Sequence, residues 1–201
     1  MYKDDVQRVF LYVFEKDDGT TDQLLTASVS DFFTKRGEDV KETEICRDDK
    51  GAPYIAGEEM PFVSVSHSGD YTVCAVSDGR IGVDLQVIRR YKDETEAEQT
   101  RRLLRLARRF FHPSETEWIE KDPMGRFFTV WSAKESYVKY TGQGIDDDFG
   151  MTSVIPDMGP YGTEWECGGM YYRLLPFAEG YSFCVCCERP IETETVFAYG
   201  Y

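Results

Sequence analysis

The periodicities of this chain predict an α+β fold assembled from two strand–helix–strand units. Three observations lead there. Short segments alternating apolar and polar residues with period two recur along the sequence, as strands do. Longer stretches between them carry the spacing of amphipathic helices. One strand pattern occurs twice: Asp70-Tyr71-Thr72-Val73-Cys74-Ala75-Val76 and Gly180-Tyr181-Ser182-Phe183-Cys184-Val185-Cys186 share an aromatic and an alternating Cys-bearing run, each beside a Gly. A chain of 201 residues can bury its core as one domain or as two small ones. The repeat favours two halves, 1–78 and 79–201, divided near Asp78-Gly79.

In the first unit, Arg8–Phe14 reads as a strand and Leu24–Arg36 as a helix. Val63-Ser64-Val65-Ser66-His67-Ser68-Gly69 reads as a strand ending in hydroxyls and an imidazole at a Gly turn. Loops where strands open are common places for ligand contacts. The chain has only two histidines, so His67 is either a structural residue or a ligand contact.

The second unit opens with Arg80-Ile81-Gly82-Val83-Asp84-Leu85-Gln86-Val87. Its alternation places Ile81, Val83, Leu85 and Val87 on one face, and Gly82, Asp84 and Gln86 on the other. Two oxygen-bearing side chains then share a face, with Gly82 leaving room beside them for a ligand. Such a face is either polar and solvated or suited to a hard cation such as Mg²⁺.

Helical stretches follow at Glu96–Trp118 and Phe127–Tyr140. At about 100° per residue, Phe127, Phe128, Trp131 and Val138 fall on one arc with Glu135 among them, and Lys139 lies one turn on. A carboxylate in an apolar stripe needs a positive partner. Glu135 and Lys139 form either a simple i,i+4 ion pair or the cation-holding and anion-holding parts of a metal–phosphate site.

Composition narrows the function classes. A net charge of −14 argues against nucleic-acid binding. No window of about 18 apolar residues occurs, and Met1-Tyr2-Lys3-Asp4-Asp5 lacks a signal-peptide pattern, so neither a membrane span nor an export leader is expected. Cys184, Cys186 and Cys187 lie in one apolar run and read as small core residues in a reducing cytoplasm. Arg101–Arg109 forms a basic amphipathic helix, preceded by Arg89 and Arg90; it is either a solvated face or a landing strip for an acidic partner. Asp146-Asp147-Asp148 reads as a solvated turn.

Three of these segments together resemble the 4′-phosphopantetheinyl transferase superfamily, in particular its larger single-chain type serving peptide and polyketide synthases. Ser66-His67-Ser68 is similar to its Ser-His-Ser element, and Ile81-Gly82-Val83-Asp84 to its aliphatic-Gly-aliphatic-Asp element. Trp131-Ser132-Ala133-Lys134-Glu135-Ser136-Tyr137-Val138-Lys139 resembles its W-S-x-K-E-S-x-x-K signature, followed by Gly142-Gln143-Gly144. Arg109–Glu115 also resembles the helix end between the last two motifs. Four departures stand out: Gly51-Ala52-Pro53 replaces Gly-Lys-Pro with Lys50 displaced outward, Ser64 replaces Asn, Gln86 replaces Glu, and Asp22 stands in a region that is basic in larger relatives.

The resemblance implies a pseudo-twofold α+β fold with the active site in the cleft between halves. It implies a cytoplasmic, monomeric enzyme moving the phosphopantetheine arm of coenzyme A onto a serine of an acyl or peptidyl carrier protein. Asp84 and Glu135 would then hold Mg²⁺, with Gln86 as a weaker ligand. Glu135 would take the serine proton and Lys139 would pair with a phosphate. Ser66 and His67, with Gly51 and Pro53, would contact the coenzyme. A non-catalytic carrier binder and a metal-dependent hydrolase of a coenzyme-like pyrophosphate are the alternatives.

Overall fold

The computed structural model describes residues 6–89, 93–144, 147–157, 159–160 and 162–197, with backbone alone at 147 and 148. Its strands are β1 Gln7–Glu15, β2 Ile45–Arg47, β3 Pro53–Ile55, β4 Phe62–Ser68, β5 Tyr71–Ser77, β6 Gly82–Val87, β7 Glu164–Cys167, β8 Met170–Leu174, β9 Tyr181–Cys187 and β10 Ile191–Phe197. Its helices are α1 Thr21–Arg36, α2 Glu96–Phe110, α3 Pro113–Glu120 and α4 Pro123–Thr141. One sheet runs β10-β1-β5-β4, a second runs β6-β9-β8-β7, and β2 with β3 forms a small ribbon.

Alternation along β1 and β5 explains the layering. Phe10, Tyr12, Phe14, Cys74 and Val76 face α1 and bury Leu25, Val29 and Phe33. Val9, Leu11, Val13, Val73 and Ala75 face the other way, onto Ile81, Val83, Leu85, Phe183 and Val185 of the second sheet. The far side of that sheet, with Cys184, Cys186 and Tyr172, packs on α2, α3 and α4. The order is therefore helix, sheet, sheet, helices. The two copies of the internal repeat become β5 and β9, each an inner strand of its sheet. Strand β10 pairs in parallel with β1, so the first sheet draws strands from both sides of Asp78-Gly79.

Local chemistry sets the helix ends. Thr20 and Gln23 form a capping box that starts α1 three residues before the expected Leu24. The single helix expected over Glu96–Trp118 is two. Phe111 is extended and Pro113 begins α3 behind a His112–Glu115 capping box, since proline cannot continue a helix but suits its first turn. Helix α4 is capped by Asp122 and ends at Gly142, which adopts the left-handed conformation (φ 71°).

The space expected beside Gly82 for a ligand is occupied by α4. A Cβ at Gly82 would fall 1.9 Å from Ser136 O and 2.6 Å from Tyr140 N. These are backbone atoms, so no rotamer change relieves the clash. Gly82→Ala should therefore destabilise the fold by about 3 kcal/mol or more in urea unfolding; an unchanged midpoint would mean that α4 rides farther from β6 than described.

Candidate active site

The close seating of α4 on β6 brings the polar face of β6 against one end of the helix. Asp84 is on the same face as Gly82, one alternation further on, and Glu135 and Lys139 are one turn apart on α4. Asp84 is 5% exposed. Lys139 Nζ donates to Asp84 Oδ1 at 2.8 Å and to Ser66 Oγ at 2.8 Å, while Ser66 Oγ donates to Asp84 Oδ1 at 3.0 Å. Asp84 Oδ2 is buried and makes no hydrogen bond. Burial, and next the negative charge of Asp84, push the Glu135 carboxyl above its ordinary range, and Lys139 offsets only part of this.

Two carboxylates thus lie near one ammonium, which leaves the cluster with one negative charge in excess. That donor set, with a buried carboxylate oxygen left over, fits a hard divalent cation such as Mg²⁺. Among the described residues no three His, Cys, Asp or Glu side chains converge. The protein would therefore supply Asp84 and Glu135, leaving other positions to substrate oxygens and water, as Mg²⁺ commonly accepts. Gln86 lies on the same face of β6, but its amide nitrogen donates to Val87 O at 2.9 Å.

The other expected residues separate. Ser66 is buried on the β6 side of β4, whereas His67 is exposed on the opposite face, as strand alternation requires. Gly51 and Pro53 line a groove of about 690 Å³ that also includes Lys50, Arg80, Lys139 and Gly144. Lys50 spans it and donates to Gln143 O. Asp22 is paired with Arg47 on β2.

Sequence reasoning missed two features. The first is that Lys50, noted only as displaced from a motif, shares a groove wall with Arg80: the β2–β3 ribbon that carries Lys50 there has strands of three residues each and leaves no periodic signal. The second is the partner of Lys134, a residue whose position about 100° round α4 from Glu135 already points to a structural role. Lys134 is 2% exposed and pairs at 3.0 Å with Glu115, which is 0% exposed. Lys134 also donates to Thr152 O at 2.6 Å, and Glu115 accepts from Val154 N at 2.8 Å and His112 N at 2.9 Å. Burial lowers the Lys134 pKa and Glu115 counters it. This pair ties the 152–154 segment to α3 and α4.

On α2, Arg101, Arg105, Arg108 and Arg109 are exposed. Arg108 is bound to Glu120 at 2.6 Å, and Arg101 and Arg105 stand beside Asp93, Glu94 and Glu98. Arg90, Asp146 and the side chains of Asp147 and Asp148 lie outside the described residues.

Comparison with known proteins converges on these same segments. A family model for the 4′-phosphopantetheinyl transferase superfamily matches residues 80–186. The chain is 30% identical over 158 residues to a 4′-phosphopantetheinyl transferase of Bacillus pumilus, covering 73% of this chain and 61% of that one. It is 31% identical over 147 residues to a Bacillus subtilis enzyme of the same name, covering 70% and 61% respectively. It is 28% identical over 167 residues to the transferase Sfp of Bacillus subtilis strain 168, covering 75% and 66%. The chain therefore spans less than two thirds of each of these relatives.

The raised Glu135 carboxyl makes a stability prediction. The folded protein holds this proton more tightly than the unfolded chain, so the stability it confers is complete below the ordinary value of 4.5 and is lost as pH rises through the folded value. Glu135→Gln keeps the shape and removes the charge. With a chelator present, the variant should melt at a higher temperature than wild type at neutral pH, and the gap should close below pH 4.5. Equal melting at neutral pH would show that Glu135 is not under electrostatic strain.

Proposed function

Since this chain belongs to the 4′-phosphopantetheinyl transferase superfamily, on its Sfp-like side, we propose that it transfers the 4′-phosphopantetheine arm of coenzyme A to a serine of an acyl or peptidyl carrier protein. The observation carrying this reading is the cluster of Asp84, Glu135 and Lys139, whose Lys139 also lines a large groove together with Lys50 and Arg80. In a chain of net charge −14, a groove with three cationic side chains suits the phosphates of the coenzyme.

Asp84 and Glu135 would hold Mg²⁺, which when bound draws off charge that develops on the pyrophosphate oxygens. The carrier serine Oγ attacks the pantetheine-side phosphorus, and a new P–O bond forms. The bond from that phosphorus to the bridging oxygen breaks, and 3′,5′-adenosine bisphosphate leaves. Glu135 accepts the serine proton. Lys139 neutralises a phosphate oxygen as a point charge. Gly51 and Pro53 shape the groove, and His67 contacts the coenzyme from the exposed face of β4. Gln86 would serve as a weaker ligand if its amide oxygen faces the ion.

The fold supports a pseudo-twofold reading of the halves. Strands β1, β5 and β4 lie in the order β1-β5-β4, and β6, β9 and β8 in the matching order β6-β9-β8. The site lies where the two sets meet, at β4 and β6. No helix among the described residues is long and apolar enough to cross a membrane. The six cysteines are free, which suits a reducing compartment, and we read the protein as a cytoplasmic monomer.

Incubating an apo carrier protein with coenzyme A, Mg²⁺ and this protein should raise the carrier's mass by one phosphopantetheine arm. Cleavage of coenzyme A without that shift would indicate a hydrolase, and binding without either would indicate a non-catalytic relative. Asp84→Asn and Glu135→Gln should each lower the transfer rate by more than about 10²-fold while leaving the fold intact. Near-wild-type turnover in either would remove that carboxylate from the mechanism.

Arg105 and Arg109 should help to capture an acidic carrier: both are exposed, Arg105 with Asp93, Glu94 and Glu98 nearby, whereas Arg108 is bound to Glu120. Reversing Arg105 and Arg109 to Glu should raise KM for the carrier, most at low salt, and leave KM for coenzyme A unchanged. Screening over about 8 Å at physiological ionic strength should weaken wild-type capture as salt rises. A salt-independent KM would mean that docking is apolar.

A further inference from the structure

We infer that Ser66 is a positioning residue that aims the Asp84 carboxylate and tethers Lys139. This rests on the reading of Asp84 and Lys139 just given. Strand β6 is an edge of its sheet, so every second amide has no strand partner. Three alternate serines of β4 take those amides: Val83 N donates to Ser64 Oγ at 3.1 Å, Leu85 N to Ser66 Oγ at 3.0 Å and Val87 N to Ser68 Oγ at 2.9 Å. This hydroxyl ladder joins the two sheets where a backbone ladder would otherwise be needed.

Only the middle rung does more. A hydroxyl offers one donor and two acceptor sites, and Ser66 uses all three. It accepts from Leu85 N and from Lys139 Nζ, and its own proton goes to Asp84 Oδ1 at 3.0 Å. The contact to Leu85 O, at 3.4 Å, is longer and loses to the charged acceptor. At 3% exposure, Ser66 has no capacity left for a ligand. Its effect passes through its partners. Oδ1 is fixed by Ser66 and Lys139, so the rotation of the Asp84 carboxylate is set and Oδ2 becomes the oxygen left to offer. Lys139, partly exposed on a flexible stem, is held at two points rather than one.

The ladder supplies its own control. Ser66→Ala and Ser68→Ala each strip one β6 amide of its partner, so both should lower the melting temperature. Only Ser66→Ala should weaken Mg²⁺ affinity in a calorimetric titration, by about tenfold, the usual worth of a hydrogen bond to a charged group. Only Ser66→Ala should also erase the slowly exchanging Lys139 ammonium signal in ¹⁵N-lysine NMR, and Ser66→Thr should restore both. Equal behaviour of the Ser66 and Ser68 variants in both measurements would overturn the inference and leave Ser66 a structural rung. If wild type binds no Mg²⁺ yet the ammonium signal vanishes in Ser66→Ala, the positioning role stands and the metal reading fails. If Ser66→Ala does not fold, Ser66→Cys takes its place, since a thiol is a weak donor and acceptor: weakened Mg²⁺ affinity with a lost ammonium signal would support the role, and wild-type values in both would overturn it.

Discussion

The seating of α4 on β6 at Gly82 is the contact on which the rest of the site depends. One missing side chain lets a helix backbone come within van der Waals distance of a strand. That closeness converts two independent periodicities into one cluster, since Asp84 follows Gly82 by two strand residues and Glu135 and Lys139 flank Ser136 on the helix. A helix held farther off by a methyl group would leave the Lys139 ammonium short of Asp84. The functional groups sit on rigid elements, which favours accurate placement over loop-borne adaptability.

The two ion pairs of α4, one buried and one partly exposed, contrast in their balance. Lys134 and Glu115 are matched one to one, and the spare carboxylate oxygen capacity is met by backbone amides. That pair is complete in itself and serves to anchor the 152–154 segment. Around Lys139 the account is deliberately uneven, with two acids to one base and an acid oxygen unmet. An unmet buried acceptor costs stability. Its occurrence beside a groove rather than in the closed core sets this cluster apart from the Lys134–Glu115 pair and makes it the candidate centre.

Much of this was legible in the residues, and the limits follow from the range of the signals. Strand β6 and helix α4 declare themselves because their periodicities are local, and so Asp84, Glu135 and Lys139 could be named with their facing relations. The strand pair β5 and β9 is visible as a repeat. Pro113 was a local signal too, yet apolar periodicity on both sides of it reads as one helix until the cap at His112 is recognised. Ser66 and His67 are adjacent in a motif, but alternation sends them to opposite faces. The Lys134–Glu115 pair is 19 residues apart and crosses a helix junction, so no spacing rule reaches it. The room at Gly82 is a tertiary matter: the sequence indicates a close approach there but not whether a ligand or the protein's own helix makes it.

The parallel pairing of β10 with β1 has a consequence for biogenesis. Strand β10, the neighbour of β1 in the sheet, is translated some 180 residues after it, as Gln7 is matched with Ile191. Until then one side of β1 is an open hydrogen-bonding edge on an apolar strand, a template for wrong partners. The first sheet is therefore completed only after synthesis of the second, and closing so long a loop makes for slow, non-local assembly. The nascent chain has to keep β1 from aggregating while it waits for β10.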